Sequence, residues 1–203
     1  MDPVIYKAIG HLLPKKGYYA DIGAHDGRSF SNTFHLEKDG WRGLLVEPVL
    51  PTYFRLLQIR SDSSNYFANV ACVSFQNNSK NLLMSYGDLM SFAPEISTVD
   101  AEEWRNSAKQ FLNRNETITD TWVPVKTLTA ILTEAKSPNF IDFLSIDVEG
   151  AEFDVISGID FTKYAFGLIC LETYKPDIIQ EFMQTHGYTS KMYIVNNLIL
   201  TKQ

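Results

Sequence analysis

Short apolar runs alternate with stretches whose apolar residues recur at helical spacing along most of the chain. An apolar run of about four to eight residues between turn residues is typical of a buried strand, whereas apolar positions at i, i+3 and i+4 are typical of a helix. This alternation favours an α/β fold with a mostly parallel sheet and helices on both faces. The predicted strands are residues 18–21, 43–46, 66–75, 140–146 and 166–171, and the predicted helices are residues 29–38, 51–60, 128–135, 151–158 and 176–186.

The end of the chain carries a hairpin pattern. Residues 191–195 and 198–201 are two short strand-like runs around Asn196 and Asn197, a residue type that favours tight turns. We therefore expect the parallel sheet to be closed by a C-terminal antiparallel hairpin, with all of residues 1–203 in a single domain.

Residues 87–120 break the alternation. Their clearest element is a helix that begins with a capping box formed by Asp100 and Glu103. Because long irregular connections in compact domains are usually functional, residues 87–120 are expected to be a lid or a substrate-side insertion. The alternative is a plain surface excursion. Residues 82–86, just before it, are expected to continue the strand at 66–75 as an edge hairpin.

A glycine turn lies between the first two predicted strands. Asp21 precedes Gly23 and Gly27, and Glu47 follows the second strand about twenty residues past the turn. Such a βαβ unit suits a nucleoside-containing cofactor whose ribose hydroxyls bind the second acid. The turn lacks the G-x-G-x-x-G spacing that admits a pyrophosphate, and Asp21 would repel one while accepting hydrogen bonds from an ammonium group. S-adenosylmethionine, which carries no phosphate, therefore fits this turn better than NAD.

Four acids stand where predicted strands end: Asp21, Glu47, Asp147 and Glu172. The crevice beyond the carboxyl ends of a parallel sheet is its usual binding site, so these side chains should converge. Asp21 and Glu47 form the stronger pair, because the ammonium and the ribose of the cofactor would be their partners. The alternative is that each acid caps a turn or a helix start.

Asp147 also opens a cluster of three carboxylates with Glu149 and Glu152. Clustered acids raise one another's pKa, which suits a general base or a divalent-metal site. Helix capping is the alternative for Glu149 and Glu152, whose charges are favourable near a helix N-terminus. For Asp147 the functional interpretation is preferred because it holds the strand-end position.

His25 lies inside the glycine turn, where the transferable methyl group of such a cofactor should sit. It could be a base, a substrate contact or a turn residue that tolerates unusual backbone angles, and the last interpretation is slightly favoured. The doublet with Asp26 also occurs in metal phosphohydrolases, but further histidine ligands are missing from the pattern.

Composition removes several classes of function. The formal charge of −6 over 203 residues argues against a nucleic-acid partner, which requires a basic face. Cys72 and Cys170 lie in apolar runs without metal or redox spacing, so both are expected to be buried. No apolar run reaches the length of a membrane span and the first 17 residues contain no long apolar stretch, so a cytoplasmic protein is expected.

Several motifs together resemble the FkbM family of S-adenosylmethionine-dependent methyltransferases. The resemblance covers about residues 16–175 and includes the segment 158–161 that follows its most specific part. The motifs are Asp21-Ile22-Gly23-Ala24-x-x-Gly27, Val46-Glu47-Pro48, Asn69-Val70-Ala71 and, most specific, Ile141-Asp142-Phe143-Leu144-Ser145-Ile146-Asp147-Val148-Glu149-Gly150-Ala151-Glu152. The resemblance implies a class I Rossmann-like fold with a seven-stranded sheet, and methyl transfer that is typically to a hydroxyl oxygen.

The resemblance also implies roles for individual residues. The turn from Asp21 to Gly27, including Gly23 and Ala24, would line the methionine moiety of the cofactor, and Glu47 with Pro48 would face the ribose. Asn69 and Val70 would line the adenine, and Asp147 would face the methyl donor and the acceptor. His25 replaces the small or amide residue usual in the family, so it could be an acceptor-specific feature.

An alcohol acceptor requires a base, because its pKa lies far above neutrality. Asp147 is the first choice, His25 the second and Glu149 the third. A divalent metal held by Asp147 and Glu149 could lower the hydroxyl pKa instead, but no histidine or further acid is assured to complete its ligands. The expected acceptor is a small molecule or a carbohydrate, with no nucleic acid or membrane span involved, and the oligomeric state is left open.

Two alternatives of other classes remain at this point. One is a catalytically inactive module that keeps the cofactor pocket and acts as a partner protein. The other is an NAD-dependent oxidoreductase on the same βαβ framework, which the missing third glycine and Asp21 disfavour. A nucleic-acid methyltransferase is further disfavoured by the acidic charge and by the absence of an N-P-P-Y-like run after Asp147.

Overall fold

The computed structural model describes residues 3–61 and 64–202. Its helices are α1 Pro3–Ile9, α2 Phe34–Lys38, α3 Leu50–Ile59, α4 Ala101–Ala108, α5 Leu128–Glu134, α6 Glu152–Ile156 and α7 Pro176–Thr185. Its strands are β1 Tyr18–Ile22, β2 Arg42–Val46, β3 Tyr66–Ala68, β4 Ala71–Cys72, β5 Asn81–Tyr86, β6 Thr119–Lys126, β7 Phe140–Ile146, β8 Ala165–Glu172, β9 Tyr188–Ile194 and β10 Asn197–Lys202. None of the helices in these two ranges is long and apolar enough to cross a membrane.

Within the described residues, seven strands form the main sheet in the order β3-β2-β1-β7-β8-β10-β9. The pairs from β3 to β8 are parallel, whereas β10 runs antiparallel to both β8 and β9. The last strand is thus inserted between its two neighbours. This confirms the predicted mostly parallel seven-stranded sheet and its C-terminal antiparallel hairpin.

The two faces of this sheet carry separate cores, because successive side chains of a strand point to opposite faces. Ala20 and Ile22 of β1 pack in a cluster with α5, α6 and α7. Tyr19, which directly precedes Ala20, packs in a second cluster with α1, α2 and α3. Strands covered on both faces must be apolar almost throughout, which is why β1, β7 and β8 are continuous apolar runs in the sequence.

The segment predicted as one strand at 66–75 is two strands in different sheets. β3 closes one edge of the main sheet, whereas β4 belongs to a second sheet with the order β4-β6-β5 among the described residues. Asn69 lies at the break, and its side-chain amide donates to the carbonyls of Glu47 and Pro48. These bonds hold the chain against the end of β2, so the strand cannot continue.

The predicted edge hairpin at 82–86 is also wrong. β5 pairs antiparallel with β6, which begins inside the segment predicted to be an insertion. β6 was missed because Val123 is its one buried residue and Pro124 lies within it, so it lacks an apolar run or a clean alternation. The pairing brings together residues about forty positions apart, which local patterns do not reveal.

Two predicted helix N-caps are confirmed, whereas the predicted start of one other helix is wrong. The side chains of Asp100 and Thr127 accept hydrogen bonds from the backbone N–H groups of Glu103 and Ala130, as N-caps of α4 and α5. The helix predicted from Ser29 begins only at Phe34, because polar bonds around Asp26 hold the intervening residues in turns.

The hairpin turn lies one position before the predicted one. Val195 and Asn196, rather than Asn196 and Asn197, occupy the two central positions with φ of 47° and 60°. Positive φ at both positions is the geometry that matches the twist of a two-residue hairpin. Asn197 instead begins β10 and pairs with Glu172 and Ile194.

Candidate active site

A cavity of about 950 Å³, open to solvent, lies at the carboxyl ends of β1, β2 and β7. Six of the predicted cofactor residues line it: Asp21, Gly23, Ala24, Glu47, Pro48 and Val70. The three residues predicted to be catalytic, His25, Asp147 and Glu149, line it as well. The sheet topology therefore brings acids from three different strand ends around one space, as expected for an open parallel sheet.

Gly23 lines the cavity at the point where the backbone after β1 packs closely against the backbone after β7. Its φ is +83°, and a Cβ on it would collide with the backbone carbonyl oxygen of Asp147. The surrounding backbone is fixed by hydrogen bonds, since Gly23 N donates to Val46 O at 3.0 Å and Asp147 N donates to Ile22 O at 3.0 Å. Only glycine meets both the conformational and the steric requirement here.

Gly27 and Asn69, the other two predicted cofactor residues, are outside the cavity lining. A Cβ on Gly27 would press on the side chains of Leu56 and Arg60, so this glycine permits close packing against α3. The Asn69 amide bonds of 2.8 and 2.9 Å hold the turn after β2. Both residues have local structural roles, and a direct cofactor contact by either stays a prediction.

Glu47 is 6% exposed and is held by two backbone donors. Its carboxylate accepts hydrogen bonds from the N–H of His25 at 3.0 Å and from the N–H of Val49 at 2.8 Å, one on each oxygen. Burial raises the pKa of Glu47 to about 7 in spite of these bonds. Each carboxylate oxygen has a second acceptor direction, so Glu47 can accept hydrogen bonds from neighbouring hydroxyls while its position stays fixed.

Asp21 is likewise buried and bonded. Its carboxylate accepts a hydrogen bond from Thr33 Oγ1, and burial raises its pKa above the ordinary range. Both nitrogens of the Arg60 fork lie 3.2 Å from the same threonine oxygen. The side chain of Arg60 is fully buried and also donates to Glu37 at 2.6 Å and to the Gly27 carbonyl at 2.9 Å. Arg60 thus holds the glycine turn through the Gly27 carbonyl and holds Asp21 through Thr33.

His25 has a φ of 49°, and its ring connects the glycine turn to the inserted segment. Nε2 lies 3.2 Å from an oxygen of Asp88, to which Arg55 donates at 2.7 Å. Nδ1 is buried, lies 3.6 Å from an oxygen of Asp26 and has no hydrogen-bond partner among the described residues. One ring nitrogen is therefore oriented by a carboxylate while the other lacks a bond.

The acids that follow β7 are in a different environment. Burial raises the pKa of Asp147 well above its usual range, and the charges of Glu172, Glu152 and Asp21 raise it further. Burial and the neighbouring Asp147 raise the pKa of Glu149 to about 9. Glu152 is buried and accepts the N–H of Gly150 at 2.7 Å, and burial brings its pKa to about 7.

Clustered carboxylates alone do not make a metal centre. Among the residues that the structure describes, no three His, Cys, Asp or Glu side chains are arranged to hold a metal ion. The raised pKa values instead describe a group of acids that keep their protons to higher pH than ordinary carboxyl groups do.

Residues 87–120 contact the backbone of this cluster. Ser97 Oγ donates to the carbonyl of Glu149 at 2.7 Å, and Thr98 N donates to the carbonyl of Gly150 at 3.0 Å. Trp104 of α4 packs edge-on against Tyr174 at 5.9 Å. Cavity residues from this segment are Asp88, Leu89, Ser91, Ala93 and Ile96. Residues 87–120 thus contribute a wall of the cavity, and their action as a lid stays a prediction.

Sequence reasoning missed Arg55, Arg60 and Asp88. Asp88 and His25 are 63 positions apart, and Arg60 reaches Gly27 over 33 positions, so no local pattern could have paired them. The one available hint for Arg60 was a charged residue at the end of an amphipathic helix, where a surface position is the usual outcome.

Three comparisons with known proteins were made, two with individual proteins or structures and one with family models. A candidate RNA methyltransferase of Pyrococcus horikoshii aligns over 98% of this chain and 78% of its own, with 10% identity and a TM-score of 0.46. An uncharacterized protein of Listeria monocytogenes serotype 4b aligns over 100% of this chain and 68% of its own, with 8% identity and a TM-score of 0.48. The comparison with curated proteins returned no match. The family model of the methyltransferase FkbM domain matches residues 21–190, and the chain therefore belongs to the FkbM methyltransferase family.

Proposed function

We propose that this protein transfers the methyl group of S-adenosylmethionine to a hydroxyl oxygen of a small molecule or carbohydrate. The observation that carries the proposal is the shared cavity: Glu47 lines it from the end of β2, Asp147 from the end of β7, and the Gly23 turn lies between them. A rigid acceptor for ribose hydroxyls and a titratable acid thus face the same space.

The chemistry of the lining supports this cofactor over a dinucleotide. Asp21 and Glu47 place carboxylates beside the turn, where a pyrophosphate would be repelled. Apolar side chains form the wall near the end of β2, which suits a flat adenine ring. That wall consists of Val70, Cys72, Leu82 and Met84.

S-adenosylmethionine supplies an electrophilic methyl group that needs no further activation. The protein's contribution is to align the acceptor oxygen and to remove its proton. Asp147 is the proposed base, because its carboxylate accepts no hydrogen bond from the described residues and its raised pKa makes it more basic than an ordinary aspartate.

Glu149 is a weaker candidate for the base. With a pKa of about 9, it holds its proton at neutral pH and can donate rather than accept. His25 is the second choice after Asp147, since Asp88 orients one ring nitrogen and leaves the other without a partner. Pairing of this kind is how a histidine base is commonly held in the correct tautomer.

Calorimetric titration of the purified protein tests the cofactor. We expect micromolar binding of S-adenosylmethionine and no binding of NAD. Binding of NAD instead would revive the oxidoreductase alternative, and absence of both would remove the methyltransferase proposal.

Incubation with S-adenosylmethionine labelled in its methyl group, together with pooled sugars and small alcohols, tests the acceptor class. We expect label in an ether linkage. Label on nitrogen or carbon would contradict the hydroxyl acceptor, and cofactor binding without transfer to any pool would favour an inactive partner module.

A further inference from the structure

Phe30 combines three properties that a core residue does not have. It is 75% exposed, its φ is +56°, and it lines the cavity. A bulky side chain at positive φ is a strained conformational outlier, and such residues cluster at functional sites. An exposed phenyl ring in that conformation gains little from the fold of the free protein.

The neighbouring backbone holds Phe30 in this position. On one side, an Asp26 carboxylate oxygen accepts the N–H groups of Arg28 and Ser29 at 2.8 and 2.7 Å. On the other side, Ser31 Oγ accepts the N–H of Phe34 at 3.2 Å. Since the loop is fixed before and after Phe30, the ring is presented to the cavity rather than free to fold away.

The loop also shows which end of the cavity Phe30 faces. The side-chain amide of Asn32 donates to Ser145 Oγ at 3.2 Å. Ser145 lies on β7, two residues before Asp147, whereas Glu47 lies beyond β2 on the far side of β1. Phe30 is therefore at the Asp147 end, where the methyl group would be transferred, and away from the ribose end.

We propose that Phe30 covers the sulfonium end of S-adenosylmethionine and contributes to its binding through its aromatic face. The inference rests on the function proposed above and assigns a positioning residue to it. An aromatic ring attracts a cation placed over its face, and covering the ligand removes apolar surface of the ring from water. Both effects arise only in the complex, which accounts for the exposed ring in the free protein.

Titration of S-adenosylmethionine and of S-adenosylhomocysteine, which has a neutral thioether, tests this contact. We expect Phe30→Ala to weaken binding of the sulfonium ligand about tenfold and of the thioether ligand less. Phe30→Leu keeps apolar bulk and should lose affinity only for the sulfonium ligand. Phe54→Ala is the matched control, because Phe54 is 55% exposed on α3 and does not line the cavity; its affinities should match those of the wild type.

Thermal unfolding and titration of Phe30→Gly separate the backbone strain at this position from the contact with the ligand. Glycine adopts positive φ without strain, so this variant should melt a few degrees above Phe30→Ala while binding the cofactor equally weakly. Wild-type affinity of Phe30→Ala for S-adenosylmethionine would overturn the inference and leave the methyltransferase proposal standing. If the wild-type protein itself does not bind S-adenosylmethionine, both are overturned.

Discussion

Two groups of acids lie at one edge of the same sheet, yet their surroundings differ. After β1 and β2, Asp21 accepts a threonine hydroxyl and Glu47 accepts two backbone N–H groups. After β7, Asp147 accepts no hydrogen bond from the part of the chain that the structure describes, and three other carboxylates act on it. Burial is the largest cause of the raised pKa of the acids in both groups. The next largest effects are hydrogen bonds, which lower the pKa, for Asp21 and Glu47 but like charges, which raise it further, for Asp147.

The difference separates recognition from chemistry. A buried carboxylate with fixed donors stays in one position and offers its remaining lone pairs to a ligand, so Asp21 and Glu47 suit binding. A carboxylate among like charges and without donors is more basic than an ordinary aspartate, so Asp147 suits proton transfer. Substitutions of Asp21 or Glu47 should therefore mainly lower the affinity for the cofactor. Substitution of Asp147 should mainly lower turnover.

Asp147→Asn should give the largest effect. The substitution keeps the shape of the side chain and removes the proton acceptor, so methyl transfer should fall by about 10²–10⁴-fold. Affinity for S-adenosylmethionine should change little, and thermal stability should not fall, because a buried charge is removed. Transfer of labelled methyl to the acceptor and calorimetric titration measure the two quantities.

His25→Asn is the comparison variant for this prediction. Asparagine tolerates the positive φ of His25, so the turn should be retained. We expect about a tenfold loss of turnover or less, since His25 is only the second choice for the base. A loss larger than that of Asp147→Asn would identify His25 as the base. The acids after β7 would then not be the groups that carry the proton transfer.

Arg60→Met tests the bonded group through stability. Arg60 is fully buried, and its removal takes away the cation paired with Glu37 and the donor to the Gly27 carbonyl. The free energy of unfolding should fall by about 3–5 kcal/mol, as for other broken buried ion pairs. Arg105→Met, which breaks an exposed pair with Asp120, should cost about 1 kcal/mol or less. Urea denaturation of both variants measures this, and equal losses would contradict a supporting role for Arg60.

The sequence predicted the parts of the site that depend on local order. An apolar run that ends in an acid fixes a strand and the side chain at its carboxyl end, so Asp21, Glu47 and Asp147 could be assigned to one edge of the sheet. Gly23 and Gly27 could be assigned to the turn after β1 because they follow the same apolar run. Gly23 follows its strand directly and meets β7, as a glycine at that point should.

The remaining parts depend on contacts between distant segments. β6 has mostly exposed residues and was recognisable only through its pairing with β5. Asp88 reaches His25 from the insertion, and Phe30 reveals its strain only through its φ. Apolar periodicity reports which face of an element is buried and carries no signal for a polar contact made across the fold.

Glu47→Ala tests recognition at the ribose end. The substitution removes the proposed acceptor for the ribose hydroxyls and leaves the N–H groups of His25 and Val49 without their partner. We expect binding of S-adenosylmethionine to weaken by about 2–3 kcal/mol, or roughly 30–150-fold. Glu47→Gln keeps one carbonyl acceptor and should lose less. Calorimetric titration that gave wild-type affinity for Glu47→Ala would remove the ribose assignment.

Glu149→Gln gives the smallest effect and tests the crowded acids by pH. The folded protein retains the Glu149 proton up to its pKa of about 9, whereas the unfolded chain releases it above the ordinary value of 4.5. The folded state therefore binds more protons in this range, and its stability must fall as the pH rises between these values. Thermal melts from pH 6 to 9 should show a shallower fall in stability for Glu149→Gln, by at most about 1.4 kcal/mol per pH unit. Glu134→Gln, a substitution at an exposed surface pair, should keep the wild-type slope; equal slopes for all three proteins would show that like charges after β7 do not control this titration.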